Sequence, residues 1–122
     1  MGWKNPPTKF VRSYREAYGY VVREATIRLL RGVITRSPVD TGRFKSNWQV
    51  AEGSAPTGTV GISGDPLSVI SKVPGNAYGK VLYVVNNLPY AERLENGWSE
   101  QAPTGMVKLA MMDVQDWLKS LK

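Results

Sequence analysis

Cysteine and histidine are both absent from the 122 residues, and most enzyme chemistries go with them. Without cysteine there is no disulfide framework, thiolate zinc site, iron–sulfur cluster or Cys nucleophile. Without histidine there is no Ser-His-Asp triad, no imidazole base and no imidazole metal ligand. Long hydrophobic runs are missing too. No apolar stretch approaches the roughly 20 residues of a membrane span, and Met1-Gly2-Trp3-Lys4-Asn5-Pro6-Pro7 contains no apolar signal core. The expectation is an intracellular, soluble protein that is not an enzyme and uses no cofactor or metal.

What chemistry-bearing residues there are do not assemble into a motif. Glu92 and Glu95 lie three apart, as do Asp113 and Asp116. Paired carboxylates can divide acid and base roles or bind a cation, but with no further ligands near them they read as solvated helix faces. Gly58, Gly61 and Gly64 precede no Lys-Ser/Thr and open no long helix, so they form no phosphate cradle. Asp40 and Asp65 read as caps or turn formers, and Trp48, Trp98 and Trp117 as core or interface anchors.

Charge is plentiful but uneven. The chain carries sixteen Lys and Arg against ten Asp and Glu, a net of +6. Residues 1–45 hold ten of the bases and three of the acids, a local charge of +7, and the other 77 residues carry −1. Such a segment suits an acidic partner, either nucleic acid or the acidic face of a protein neighbour; it also suits a solvated helix face. Arg12, Arg15, Arg23, Arg28 and Arg31 are the candidate contacts. They do not share one helix face, and no Asn or Gln lies among them to read adenine edges. Any nucleic-acid contact would therefore be to the backbone, independent of sequence.

A 42% hydrophobic and 21% charged composition is that of an ordinary globular chain. At this length one domain, residues 1–122, can bury about two-thirds of its unfolded surface. After an extended arm at residues 1–7, a helix runs to about Ser37, where Pro38 restricts the residue before it. Phe10 or Val11, Tyr14, Tyr18, Val21, Ala25, Leu29 and Val33 form a stripe along it, while Ile27, Leu30 and Ile34 lie off that stripe. Apolar residues on two faces predict that part of the helix packs against another subunit. Gly19 and Gly32 mark a bend or a close approach.

Next come a tight connector at Pro38–Gly42, with Asp40 or Thr41 able to cap a single turn to Ser46, and a strand at Trp48–Ala51. Thr59–Ile62 reads as the returning strand of a hairpin. Leu67–Val73 reads as a short helix or an irregular loop. Val81–Val85 reads as a central strand, because it is apolar without alternation. Tyr90–Asn96 reads as a short helix stopped by Gly97, and Met106–Leu121 as a closing helix. The class is α+β: a long N-terminal helix, a small, mostly antiparallel sheet with short helical insertions, and a C-terminal helix packed on the sheet.

Three blocks carry a resemblance. Ser37-Pro38-Val39-Asp40-Thr41-Gly42-Arg43-Phe44 resembles the "PVDTG" block of the phage neck and tail-completion family, minor tail components of long-tailed phages. Residues 86–97, with Pro89, Tyr90, Glu95 and Gly97, look like its second block. Residues 99–107, with Gln101, Pro103 and Gly105, are similar to its third. Order and spacing match from about residue 8 to the end. Pro38, Asp40, Thr41 and Gly42 and the two later blocks then read as turns and caps that aim the helices. The resemblance implies a structural virion protein at the head–tail junction. It would form a homo-oligomeric ring, six subunits in preference to twelve, between tail terminator and head-side connector around the DNA channel. The other expectation, from charge alone, is a sequence-independent nucleic-acid-binding module.

Overall fold

Proline suits the first turn of a helix, where its missing N–H has no intrahelical acceptor to lose. The first helix, α1, accordingly begins at Pro7 and runs 30 residues to Arg36. The residues ahead of it therefore number six, one fewer than the seven-residue arm read from the sequence. The computed structural model describes residues 7–37, 42–89, 91 and 105–121, with the side chains of α1 from Glu16 onward.

Both apolar sets of α1 contribute to the core. Ile27, Leu30 and Ile34, off the main stripe, form the core with Val33, and Leu30 is wholly buried. The described remainder of the longer stripe lies on the flank of that face. Leu29 packs at the core margin, Val21 and Ala25 are half-buried, and Tyr18 is half exposed, edge-on to the Tyr78 ring at 5.8 Å. Regular spacing identified both sets; which one is buried depends on where the sheet docks. Gly19 marks a close approach, since a Cβ there would stand 2.0 Å from Asn76 Oδ1.

Gly42 starts the next element. It occupies the N-cap position of α2 (Arg43–Ser46) with φ 76°, and as a glycine it has no side chain with which to cap that turn itself. Asp40 and Thr41, the capping candidates, lie outside the described residues. Among the described residues a Cβ at Gly42 would meet only Ile62 Cγ2, at 3.8 Å, so the demand for glycine seen there is torsional. Gly42→Val should therefore cost about 1–2 kcal/mol, read as a lower midpoint in urea unfolding, with no change in the surrounding contacts.

Strand β1 (Trp48–Glu52) pairs antiparallel with β2 (Leu82–Asn86), Val50 opposite Val84. Trp48 and Val50 are buried, and Leu82 and Val84 pack against the same core. Two sequence expectations change here. Thr59–Ile62 forms no strand: the loop bearing it is fastened beside β1 by side chains. Asn47 Nδ2 donates to the Val60 carbonyl at 3.1 Å, and the Val60 N–H donates to Asn47 Oδ1 at 2.8 Å. Gln49 Nε2 reaches the Gly58 carbonyl, and Asn87 Nδ2 reaches those of Pro56 and Gly58. Nor is β2 central, because the sheet has two strands among the described residues.

Residues Pro66–Lys72 form a 3₁₀ helix, with Asp65 at its N-cap position but making no side-chain cap bond. The predicted helix at Tyr90–Asn96 lies outside the described residues except for Ala91. The closing helix, α3 (Met106–Ser120), follows Gly105 at φ 93° and buries Met106, Ala110 and Val114. It packs along α1, where Arg36 forms an ion pair with Asp113 and the Arg28 guanidinium lies 4.6 Å from the Trp117 ring centroid.

Candidate functional site

The described parts of the three sequence blocks meet at one corner of the molecule. From the first block come Ser37 and Phe44, from the second Asn86 and Leu88, from the third Met106. Phe44, Leu88 and Met106 belong to one buried cluster with Leu30 and Trp48. Phe44 also meets Trp48 edge-on, ring centroids 5.8 Å apart. Asn86 Nδ2 donates to the Phe44 carbonyl at 3.0 Å, while Asn86 Oδ1 accepts from the Leu88 N–H. One asparagine thus ties the end of β2 to the α2 turn and shapes the exit from the strand.

Ser37 is the polar centre of this corner. It is buried, and its hydroxyl donates to the Val33 carbonyl at 2.6 Å. Its oxygen accepts from Trp48 Nε1 at 2.8 Å, and Met106 Sδ lies 3.4 Å away. The end of α1, the start of β1 and the start of α3 are thereby joined through one side chain. Ser37→Ala strands a buried indole N–H, which should cost about 1–2 kcal/mol. Urea unfolding checks it, and in a Trp48→Phe background, where the donor is already gone, the same change should cost much less.

The candidate arginines are not brought together. Arg28 is held by Glu24 at 3.5 Å and by the Trp117 ring, and Arg31 is exposed. Arg23 is half-buried, with its Nε sequestered and lacking an acceptor. At 100° per residue, positions 12, 15 and 23 fall on the side of α1 that carries Leu30, 28 falls beside Gly32 on the side that meets α3, and 31 is exposed. Nothing further is described for Arg12 and Arg15.

Of the carboxylates, Asp113 is not simply a solvated group, since its pairing with Arg36 links α3 to α1. Asp116 is exposed, and Glu92 and Glu95 lie outside the described residues. So do Pro38, Tyr90, Gly97, Gln101, Pro103 and Trp98. Pro89 is an exposed turn residue following Leu88. Among the described residues no group of three or more acidic side chains could hold a metal ion, and no helix is long and apolar enough to cross a membrane.

Two residues that matter structurally carried no sequence signal of their own. Asn47 is fully buried, and its bonds to Arg43 and Val60 satisfy its amide on both sides. Ser37 stood in the first block only as the residue before a proline. Comparison with protein-family models, with curated proteins and with solved structures finds no match to this chain.

Proposed function

We propose that this chain is a structural virion protein of the phage head–tail junction, one subunit of a ring of six that joins the tail terminator to the head-side connector around the DNA channel. The observation that supports this reading most is the convergence of the three blocks. Segments far apart in sequence, resembling one family's conserved order, supply Phe44, Asn86, Leu88 and Met106 to a single packed corner. A corner of that kind fixes the angle between α1, the sheet and α3, which is what a ring subunit needs in order to present the same two faces to its neighbours. The half-exposed Tyr18 and Tyr20 of α1 add apolar surface available for such contacts.

The test is to locate and count the protein in purified particles. Six copies at the junction are expected; one to three per virion would rule out a ring. The +7 segment favours a second, compatible property, contact between Arg31 and its neighbours and the backbone of passing DNA. Binding should then be indifferent to sequence and fall steeply with salt. Titrating two unrelated duplexes at low and moderate salt measures this. A preference above about tenfold, some 1.4 kcal/mol, would contradict it.

A further inference from the structure

The outer edge of the two-stranded sheet, along β2, carries no strand among the described residues, and the chain has a strand-like segment that pairs with neither strand. The bond from the Gly53 N–H to the Val81 carbonyl continues the β1–β2 ladder in its own register. Bonds in an antiparallel ladder alternate, so Val81, Tyr83 and Val85 turn their N–H and C=O groups toward β1. Leu82, Val84 and Asn86 turn theirs outward, to an edge that no described strand covers. The orphan segment has the complementary form. Val60 directs both its N–H and its C=O at Asn47, so Thr59 and Gly61 present theirs to the other side.

Side chains follow the same parity. Val81 and Tyr83, on the sheet face away from the core, are 60% and 37% exposed, and Val60 and Ile62 are 45% and 64% exposed. We propose that Thr59–Ile62 of one copy of this chain adds as an antiparallel strand to the open edge of β2 in the next copy. The register that matches outward-facing groups sets Gly61 opposite Leu82 and Thr59 opposite Val84 as bonded pairs. Val60 then stands against Tyr83 and Ile62 against Val81, in the closer non-bonded pairs, where aromatic and β-branched side chains attract best. The same register brings Asp65 diagonally beside Lys80, opposite in charge.

Occupancy by a second copy follows from that match, since each chain supplies one edge and one strand. The contact is head-to-tail and leaves a free edge and a free strand at every step, so it generates a ring or a filament, never a closed dimer. Four or five residues a side is far below the roughly 20–30 of a stable interface. Isolated pairs should therefore dissociate, while a closed ring, with two such contacts per subunit, persists. This inference rests on the ring reading and names the surface that makes the ring.

The absence of cysteine makes the test clean, because introduced thiols are the only ones present. Full-length Ile62→Cys and Val81→Cys chains are prepared separately and oxidised at high concentration, alone and mixed in equal amounts. The mixture should yield a disulfide-linked dimer and neither chain alone should. Val81→Lys should lower assembly at least tenfold while its thermal unfolding stays that of the parent. Self-linking of Tyr83→Cys would mean two-fold pairing of β2 with itself and would overturn the proposal. So would an unlinked mixture in which six copies per particle are counted, and in that case the ring itself stands. A copy number of one to three removes the ring reading, and this contact with it.

Discussion

Asn47→Ala should destabilise the protein by about 2–3 kcal/mol and release residues 56–63 from the side of the sheet. The Asn47 side chain is fully buried, and its amide makes three bonds, donating to Arg43 and Val60 and accepting from Val60. A typical hydrogen bond contributes about 1 kcal/mol net, and stranding a buried polar partner costs about 1–3 kcal/mol. Val60 is itself half exposed, so water can replace its lost partner, which holds the total below the sum of three full penalties. The Arg43 carbonyl inherits what remains. Urea unfolding measures the cost, and hydrogen exchange at the Val60 amide reports the loop. Exchange at Val60 should accelerate toward that of an open loop while the Val50 and Val84 amides keep their protection relative to global stability. Unchanged protection at Val60 would mean that Gln49, Asn87 and the Ser46 hydroxyl, which accepts from the Ser63 N–H at 2.9 Å, hold the loop without Asn47. Asn47→Asp offers a sharper contrast: the same shape would place a carboxylate where the Arg43 and Val60 carbonyls expect a donor, and it should cost more than alanine.

The same asparagine shows where the sequence stopped being legible. Thr59-Val60-Gly61-Ile62 has the composition of a strand, and the turn residues before it imply a hairpin with Trp48–Ala51. What decides otherwise is a side chain thirteen positions earlier that occupies the backbone groups of Val60. No local pattern reports that. The helices were legible because their signals are local: proline at the start of α1, a proline after its end, and three- and four-residue apolar steps along α3. Which face of α1 is buried was not legible, because Tyr18, Val21 and Ala25 recur at the same helical spacing as Ile27 and Leu30 and only the docking of the other elements separates them. The apolar run at 81–85 predicts a strand in a central position of the sheet, and the sheet has two strands among the described residues. Among the described residues the core covers the side of Leu82 and Val84, while Val81 and Tyr83 on the other side stay exposed.

The corner site was legible in part. The blocks pointed to Gly42 and Gly105 as backbone positions, and both have positive φ. The contacts that make those blocks one corner, between Ser37 and Met106 or Asn86 and Phe44, join residues 69 and 42 positions apart and left no trace in spacing. Asp113 is exposed, as expected of a helix-face carboxylate, and its pairing with Arg36 was not legible because the partner lies on α1.

Gly32→Val is expected to cost about 3 kcal/mol and to loosen α3 from α1. The two helices touch at this glycine, and a Cβ there would stand 2.9 Å from Ala110 Cβ and 3.4 Å from Ala110 Cα. Arg36 Nη1 would lie 3.0 Å away, and that guanidinium also donates to the Gly32 carbonyl and pairs with Asp113. Neither neighbour is a loose end: one is a wholly buried alanine on a helix, the other an arginine held by two acceptors. Overpacking a fitted contact typically costs about 1–3 kcal/mol, and a β-branched side chain at a helix crossing belongs at the top of that range. Gly32→Ala separates the causes. In a free helix it would gain up to about 1 kcal/mol of propensity, so a loss in the folded protein must come from the crossing. Ala110→Gly should then restore part of that loss, because it removes the methyl group the new Cβ meets. Urea unfolding of the four proteins in this cycle gives the coupling between positions 32 and 110, expected at about 1 kcal/mol or more. If Gly32→Ala stabilises the protein and Ala110→Gly shows no coupling to it, the helices do not approach as described and the packing account of this seam fails.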